Sequence, residues 1–66
     1  MILDINKNEI KVGSKVIVHQ EEGDRKTTVV ELFPDCPTVN EIGFWVDIDA
    51  GNGMREGMMS YILEVF

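Results

Sequence analysis

Apolar residues alternate with small or acidic ones in the middle of the chain, and this period of two limits the fold more than any other feature. From residue 42 to residue 49 every even position is apolar, while glycine, tryptophan and aspartate occupy the odd positions. Such alternation is typical of a strand with one buried face, because successive side chains point to opposite faces of a sheet. No window sustains the three-and-four spacing of an amphipathic helix. The pattern therefore predicts an all-β fold.

Five segments carry the strand pattern: residues 10–19, 27–33, 42–49, 54–59 and 62–66. Gly13-Ser14 predicts a kink or bulge in the first strand. The second strand is expected to stop at Pro34, because proline cannot donate to a ladder. Asn52-Gly53 suits the positive φ of a hairpin turn, and Ser60-Tyr61 makes a tight link before the last strand. Even positions, among them Val12 and Ile42, are expected to face the interior.

The length of the chain restricts it to one domain, residues 1–66, with residues 1–9 as an N-terminal arm. A domain of this size buries only about 60% of the surface that its unfolded chain exposes. It has no room for a deep cleft between domains. Five short strands in so short a chain predict a closed or nearly closed small β-barrel, because closure removes exposed strand edges.

The run Val12–Val18, a loop containing Gly23 and the run Thr28–Leu32 resemble the start of SH3-like barrels of the KOW and Tudor type. In that pattern a glycine precedes the first strand, and apolar residues at alternate positions follow the loop. The ending Tyr61–Phe66 resembles the closing strand of such barrels. The resemblance covers residues 10–66 and implies a five-stranded SH3-like barrel, a fold that is frequent among small phage and prophage proteins.

The residue types that carry catalysis or bind metals are few and scattered. Cys36 has no partner for a disulfide within the chain, and His19, predicted to be solvent-exposed, leaves a four-ligand zinc site half empty. Asp47 and Asp49 share a strand face but lie beside a turn without an enclosing pocket. Residues 47–58 lack the glycine and glutamate of an EF-hand, and residues 51–57 miss the dinucleotide-binding spacing by one position. We therefore expect no catalytic residue, metal or cofactor, and no enzymatic activity.

The outward face of the predicted sheet carries the candidate contact site. If even positions face the interior, Phe33 and Trp45 point outward on neighbouring strands, and acidic residues surround them. Large exposed aromatics within a polar rim mark protein contact sites. The candidate contact residues are Trp45, Ile17, Val29, Glu31, Asp47 and Asp49. A strongly coiled barrel that buries both faces is the alternative, and the sequence leaves both open.

The charge is unevenly distributed along the chain. Residues 1–26 hold five basic and five acidic residues, whereas residues 27–66 hold a single basic residue, Arg55. The acidic residues of the second part are Glu31, Asp35, Glu41, Asp47, Asp49, Glu56 and Glu64, and they account for the whole net charge of −6. Nucleic-acid binding needs basic residues to neutralise phosphates, so the balanced first part disfavours it.

These features predict a non-enzymatic protein-binding module, a small phage or bacterial adaptor whose partner has a basic surface. The alternatives are an acidic nucleic-acid mimic that inhibits a DNA- or RNA-binding protein, and a KOW- or Tudor-like nucleic-acid binder. The start of the sequence has no cationic leader, and the longest uncharged apolar run is far shorter than the ~20 residues of a membrane span. We therefore expect a cytoplasmic protein without a membrane partner. Exposed apolar strand positions are also compatible with a homodimer.

Overall fold

The computed structural model describes residues 1–39 and 42–66, and within them five antiparallel strands form one sheet. The strands are β1 (Lys15–Val18), β2 (Arg25–Pro37), β3 (Phe44–Gly51), β4 (Met54–Met59) and β5 (Leu63–Val65). A single 3-10 turn, Ser60–Ile62, links β4 to β5. The order across the sheet is β4-β3-β2-β1-β5, so β1, β2 and β3 are neighbours, as a meander requires. The predicted all-β class and the bounds of the fourth strand are confirmed.

The core lies on one face of this sheet and draws on every strand and on the N-terminal arm. The buried apolar side chains are Ile2, Ile10, Val16, Val18, Val29, Val46, Ile48, Met58 and Leu63. The even positions Val16 and Val18 of β1 and Phe44, Val46 and Ile48 of β3 face inward as predicted. Burying one large aliphatic side chain stabilises a fold by about 1.5–3 kcal/mol, so this face supplies most of the favourable free energy of folding.

The first strand is shorter than predicted because residues 11–14 form a turn. The Ser14 amide donates to the Lys11 carbonyl at 2.9 Å, and Gly13 has a φ of 92°. Val12 lies within this turn and is 63% exposed, which corrects its predicted inward position. Ile10 is buried, but it lies outside β1 and next to the arm, where its amide donates to the Ile2 carbonyl at 2.8 Å.

The second strand does not stop at Pro34, and the prediction that it would is wrong. β2 continues to Pro37, and its register with β3 shifts between Phe33 and Pro37. Proline is tolerated at such an irregularity because no ladder hydrogen bond is required of it there. β2 is therefore long enough to pair with β1 at its start and with β3 along the rest.

A β-bulge in β2 overturns the outward position predicted for Val29. Val29 lies opposite Ile48, but Glu31 lies opposite Asp47, so two steps along β2 match one step along β3. The extra residue reverses which parity faces the core. Before the bulge the odd positions of β2 point inward, and Val29 is 1% exposed, whereas after the bulge the even residue Leu32 packs against the core.

The third strand begins at Phe44, because Ile42 lies in a bend and is 67% exposed. Ile42 is thus not the inward-facing strand residue that the alternation predicts. The hairpin to β4 is confirmed: Asn52 and Gly53 have φ values of 54° and 75°, as the favoured two-residue turn requires. A second bulge lies just before this turn, between Asp49 and Gly51.

The sheet does not close into a barrel, so the predicted closure is wrong. In residues 1–39 and 42–66, β4 and β5 are the two edges. The free edge of β5 is covered by the arm instead: the Ile5 amide donates to the Leu63 carbonyl at 2.9 Å, and the Val65 amide donates to the Asp4 carboxylate at 2.7 Å. β5 is also shorter than predicted, because Ile62 belongs to the 3-10 turn. The described part of the chain holds no helix long and apolar enough to cross a membrane.

Candidate functional site

Three apolar side chains line up across β2, β3 and β4 on the face opposite the core. Phe33 lies opposite Trp45 in the β2–β3 register, and Trp45 lies opposite Met59 in the β3–β4 register. Directly opposed residues of antiparallel strands share a face, so the three form one row about 10 Å across. Trp45 is 37% exposed, while Phe33 and Met59 are half-buried. The Tyr61 hydroxyl donates to the Met59 sulphur and extends the row towards the 3-10 turn.

A charged row runs beside the apolar row on the same three strands. Glu31 lies opposite Asp47, and Asp47 lies opposite Gly57. The Arg55 guanidinium reaches across from β4, 2.6 Å from the Glu31 carboxylate and 3.7 Å from that of Asp47. Gly57 has no side chain to obstruct this reach. Asp49 lies opposite Arg55, so this row has three carboxylates and one guanidinium, a net charge of −2.

We call these two rows the Trp45 surface, and its residues are Phe33, Trp45, Met59, Glu31, Asp47, Asp49 and Arg55. Phe33, Trp45 and Met59 together offer a partly exposed apolar strip, and the carboxylates form a polar rim along one side. Of the six predicted contact residues, four are brought together here: Trp45, Glu31, Asp47 and Asp49.

The other two predicted contact residues are not part of this surface. Val29 is buried in the core because of the bulge in β2. Ile17 shares the outward face, but it lies opposite Lys26 and Glu64, at the other end of the sheet. Lys26 and Phe33 are seven positions apart along β2, about 23 Å of extended chain. Ile17 therefore lies in a separate region, where the Lys26 ammonium sits 5.4 Å from the centre of the Phe66 ring.

His19 is more enclosed than predicted, since its side chain is 35% exposed and both ring nitrogens contact carboxylates. Nε2 lies 2.8 Å from a Glu64 oxygen, and Nδ1 lies 3.0 Å from an Asp24 oxygen. The hydrogen bond to Glu64 raises the pKa of His19 above its ordinary 6.5; partial desolvation lowers it, and the contact with Asp24 raises it further. The two carboxylates thus favour the protonated imidazolium.

The remaining candidates offer little chemistry. Cys36 is an exposed free thiol of β2, with His19 engaged elsewhere. A solvent-open groove of about 360 Å³ is lined by residues 25–28 and 49–51. Its Arg25 guanidinium pairs with Glu56 at 3.3 Å.

Within the described residues, no group of three or more His, Cys, Asp or Glu side chains is arranged to hold a metal ion. Glu41, one of the seven acidic residues of the second part, lies outside the described residues.

Sequence reasoning misses two members of the Trp45 surface, Met59 and Arg55. The Asn52-Gly53 turn indicates that β3 and β4 pair, but the bulge between Asp49 and Gly51 shifts their register, so the turn alone does not place Met59 or Arg55. No known family model, curated protein or solved structure matches this chain.

Proposed function

We propose that the chain is a non-enzymatic protein-binding module, a small SH3-like adaptor or accessory protein of phage or bacterial type, that contacts its partner through the Trp45 surface. The observation that carries this proposal is the row of Phe33, Trp45 and Met59 on the face opposite the core. Aromatic residues and methionine are enriched in protein interfaces, and tryptophan is frequent among binding hot spots. A polar rim beside such a row is the usual arrangement of a contact site.

The charge of the Trp45 surface favours a partner with a basic surface. Its net charge of −2 belongs to the same part of the chain that carries the whole net charge of −6. Complementary potentials steer encounter and suppress association with wrong partners. The resemblance of residues 10–66 to SH3-like barrels supports an adaptor, and five antiparallel strands are compatible with that small β fold.

A nucleic-acid mimic has weaker support. Such an inhibitor needs spaced, uncompensated carboxylates that stand in for phosphates. On the Trp45 surface the Arg55 guanidinium lies against Glu31 and near Asp47, so only Asp49 is left without this compensation. An aromatic and methionine row also has no role in imitating a phosphate backbone.

Replacing Trp45 by alanine is expected to weaken partner binding at least thirtyfold, the loss that a hot spot of about 2 kcal/mol implies, while the chain stays folded. Trp45 is 37% exposed and is not one of the buried core residues, so the variant is expected to keep the fold. The measurement is quantitative capture of the partner from bacterial extract by immobilised wild-type and variant chains, with circular dichroism as a check on folding.

The matched control is Phe66→Ala, which removes another exposed aromatic side chain, 60% exposed, at the other end of the sheet. Phe66→Ala is expected to capture the partner as the wild type does. If the two variants bind equally well, the Trp45 surface is not the contact site. If Trp45→Ala unfolds, the indole belongs to the packing of the fold, as in the alternative in which both faces are buried. Sedimentation of both variants distinguishes a homodimer, in which the partner is a second copy of the chain.

Replacing Arg55 by glutamine is expected to speed association with the basic partner several-fold at low salt. The substitution changes the net charge of the Trp45 surface from −2 to −3 and frees Glu31 from its ion pair. The gain is expected to disappear near 1 M salt, where the Debye length is about 3 Å. Association rates of Arg55→Gln and Lys11→Gln across a salt series test this, because Lys11 is an exposed arm-side residue with the same charge change. An equal gain in both variants would show that total charge, and not this surface, governs association.

A further inference from the structure

His19 joins two segments that are far apart in the sequence. It follows the last residue of β1 and precedes the β1–β2 loop, residues 20–24. Its Nδ1 contacts Asp24 of that loop at 3.0 Å, and its Nε2 contacts Glu64 of β5 at 2.8 Å. Its backbone amide donates to the Ile62 carbonyl at 2.9 Å, which fixes the residue against the start of β5.

The other charged groups around His19 are engaged elsewhere or exposed. On β2, Arg25 pairs with Glu56, and the Lys26 ammonium lies over the Phe66 ring. In the loop, Glu21 and Glu22 are exposed. The 3-10 turn contributes Tyr61, whose hydroxyl donates to Met59. Asp24 and Glu64 are therefore the two groups that act directly on the imidazole.

A neutral imidazole has one N–H donor and one acceptor, whereas the imidazolium has two donors. Two carboxylates at hydrogen-bond distance can both be satisfied only by the imidazolium. We propose that His19 is a proton-dependent tie, which holds the β1–β2 loop against β5 when protonated and releases the loop when it loses the proton.

The loop is the side that is released, because Glu64 holds the imidazole better than Asp24 does. The distance from the imidazole to the Glu64 carboxylate is shorter than the distance to the Asp24 carboxylate. The Glu64 side chain is 36% exposed, whereas the Asp24 side chain is 61% exposed. After deprotonation the remaining N–H stays on Nε2, where it donates to Glu64. The Nδ1 lone pair then faces the Asp24 carboxylate, and these two acceptors repel each other.

This tie is independent of the Trp45 surface, since it lies on β1, its loop and β5. Its effect on stability has a definite sign. Because the pKa of folded His19 is raised above the ordinary 6.5, the tie stabilises the fold fully below pH 6.5, and this stabilisation is lost as the pH rises through the folded pKa. The loop is therefore held in mildly acidic solution and freed in alkaline solution.

The experiment is an NMR titration of the imidazole Cε1–H together with amide protection factors of the loop. His19 is the only histidine of the chain, so its resonance needs no further assignment. The midpoint is expected above 6.5 in the wild type. Glu64→Gln is expected to lower it most and Asp24→Asn less. Glu22→Gln, an exposed carboxylate of the same loop, is the matched control and is expected to leave it nearly unchanged.

The Gly23 amide reports the loop, since it donates to the Gln20 carbonyl at 3.0 Å. Its protection factor is expected to fall several-fold as the wild type passes through the His19 midpoint. In Asp24→Asn the protection factor is expected to stay nearly constant across the same range. The tie is refuted by a wild-type midpoint at or below 6.5, by equal midpoints in Asp24→Asn and Glu22→Gln, or by unchanged Gly23 protection.

Discussion

Replacing Asp4 by alanine is expected to destabilise the fold by about 3 kcal/mol, a large part of the roughly 5 kcal/mol that a small domain has. Asp4 is 5% exposed, and its carboxylate accepts hydrogen bonds from three backbone amides. Those of Asn6 and Asn8 bind one oxygen at 2.9 and 2.7 Å, and that of Val65 binds the other at 2.7 Å. Alanine leaves all three donors unpaired and detaches the arm from β5.

Two controls separate this role from a general charge effect. Asp35→Ala removes the same charge from an exposed position of β2 and is expected to change stability by less than about 0.5 kcal/mol. Asp4→Asn keeps one acceptor oxygen for the arm but presents an amide group to the Val65 N–H, so an intermediate loss is expected. Urea unfolding of the three variants measures these differences. Equal stability of Asp4→Ala and Asp35→Ala would contradict the role of Asp4.

The same carboxylate makes stability fall in acid. Burial raises the pKa of Asp4, but the amides of Val65, Asn8 and Asn6 outweigh it, so the pKa lies below its ordinary 3.8. Stability from this group is present above pH 3.8 and is lost as the pH falls through the depressed folded pKa. Asp4→Asn is expected to show a flatter stability curve in this range. Since His19 acts in the opposite direction, the arm and the β1–β2 loop are both held only between the two pKa values.

The alternation of apolar residues could predict the fold class but not every face. Within β1 and β3 no residue interrupts the ladder between the buried positions, and the parity of Val16, Val18, Val46 and Ile48 is as predicted. In β2 the bulge after Val29 reverses the parity. Nothing local in the run Thr28–Leu32 marks the bulge, because valine fits either face of a strand. The bulge arises from the pairing of β2 with β3, and the local pattern of apolar residues in β2 does not show how the two strands pair.

The candidate site could likewise be predicted within one strand but not across a bulge. Trp45, Asp47 and Asp49 share one strand and so share a face at any register. Met59 could not be placed by counting from Asn52-Gly53, because the bulge between Asp49 and Gly51 moves the register by one residue. Regular pairing from the turn would put Ser60 opposite Trp45.

The role of Asp4 could not be predicted either, because it depends on a contact between residues that are far apart in the sequence. An aspartate two residues before an asparagine can be read as the start of a local turn, in which the side chain binds the amide two residues on. The bond from Val65 closes across 61 residues and leaves no local trace. The arm therefore reads as polar and separate, although it covers the edge of β5.

Replacing Gly43 by alanine is expected to cost about 2–3 kcal/mol, because β3 and the 3-10 turn approach each other too closely for a side chain there. A Cβ at Gly43 would lie 2.5 Å from the Ser60 hydroxyl oxygen and 2.8 Å from a Tyr61 ring carbon. Ser60 is 1% exposed, and its oxygen accepts the Phe44 amide at 3.0 Å, so it has no room to move without breaking that bond.

Gly57→Ala is the matched control, because a Cβ at that strand position meets only an Asp47 oxygen at 3.8 Å. It is expected to be neutral or to stabilise by up to about 1 kcal/mol, since glycine is entropically unfavourable in a strand. Urea unfolding followed by Trp45 fluorescence compares the two variants. Gly43→Ala is expected to cost less in a Ser60→Gly background than in the wild type, because Ser60→Gly removes the hydroxyl that the new methyl group meets. An equal cost in both backgrounds would show that the strain at Gly43 does not come from Ser60. The contact lies next to the site as well, since the Phe44 amide that bonds to Ser60 directly precedes Trp45, and Ser60 directly follows Met59.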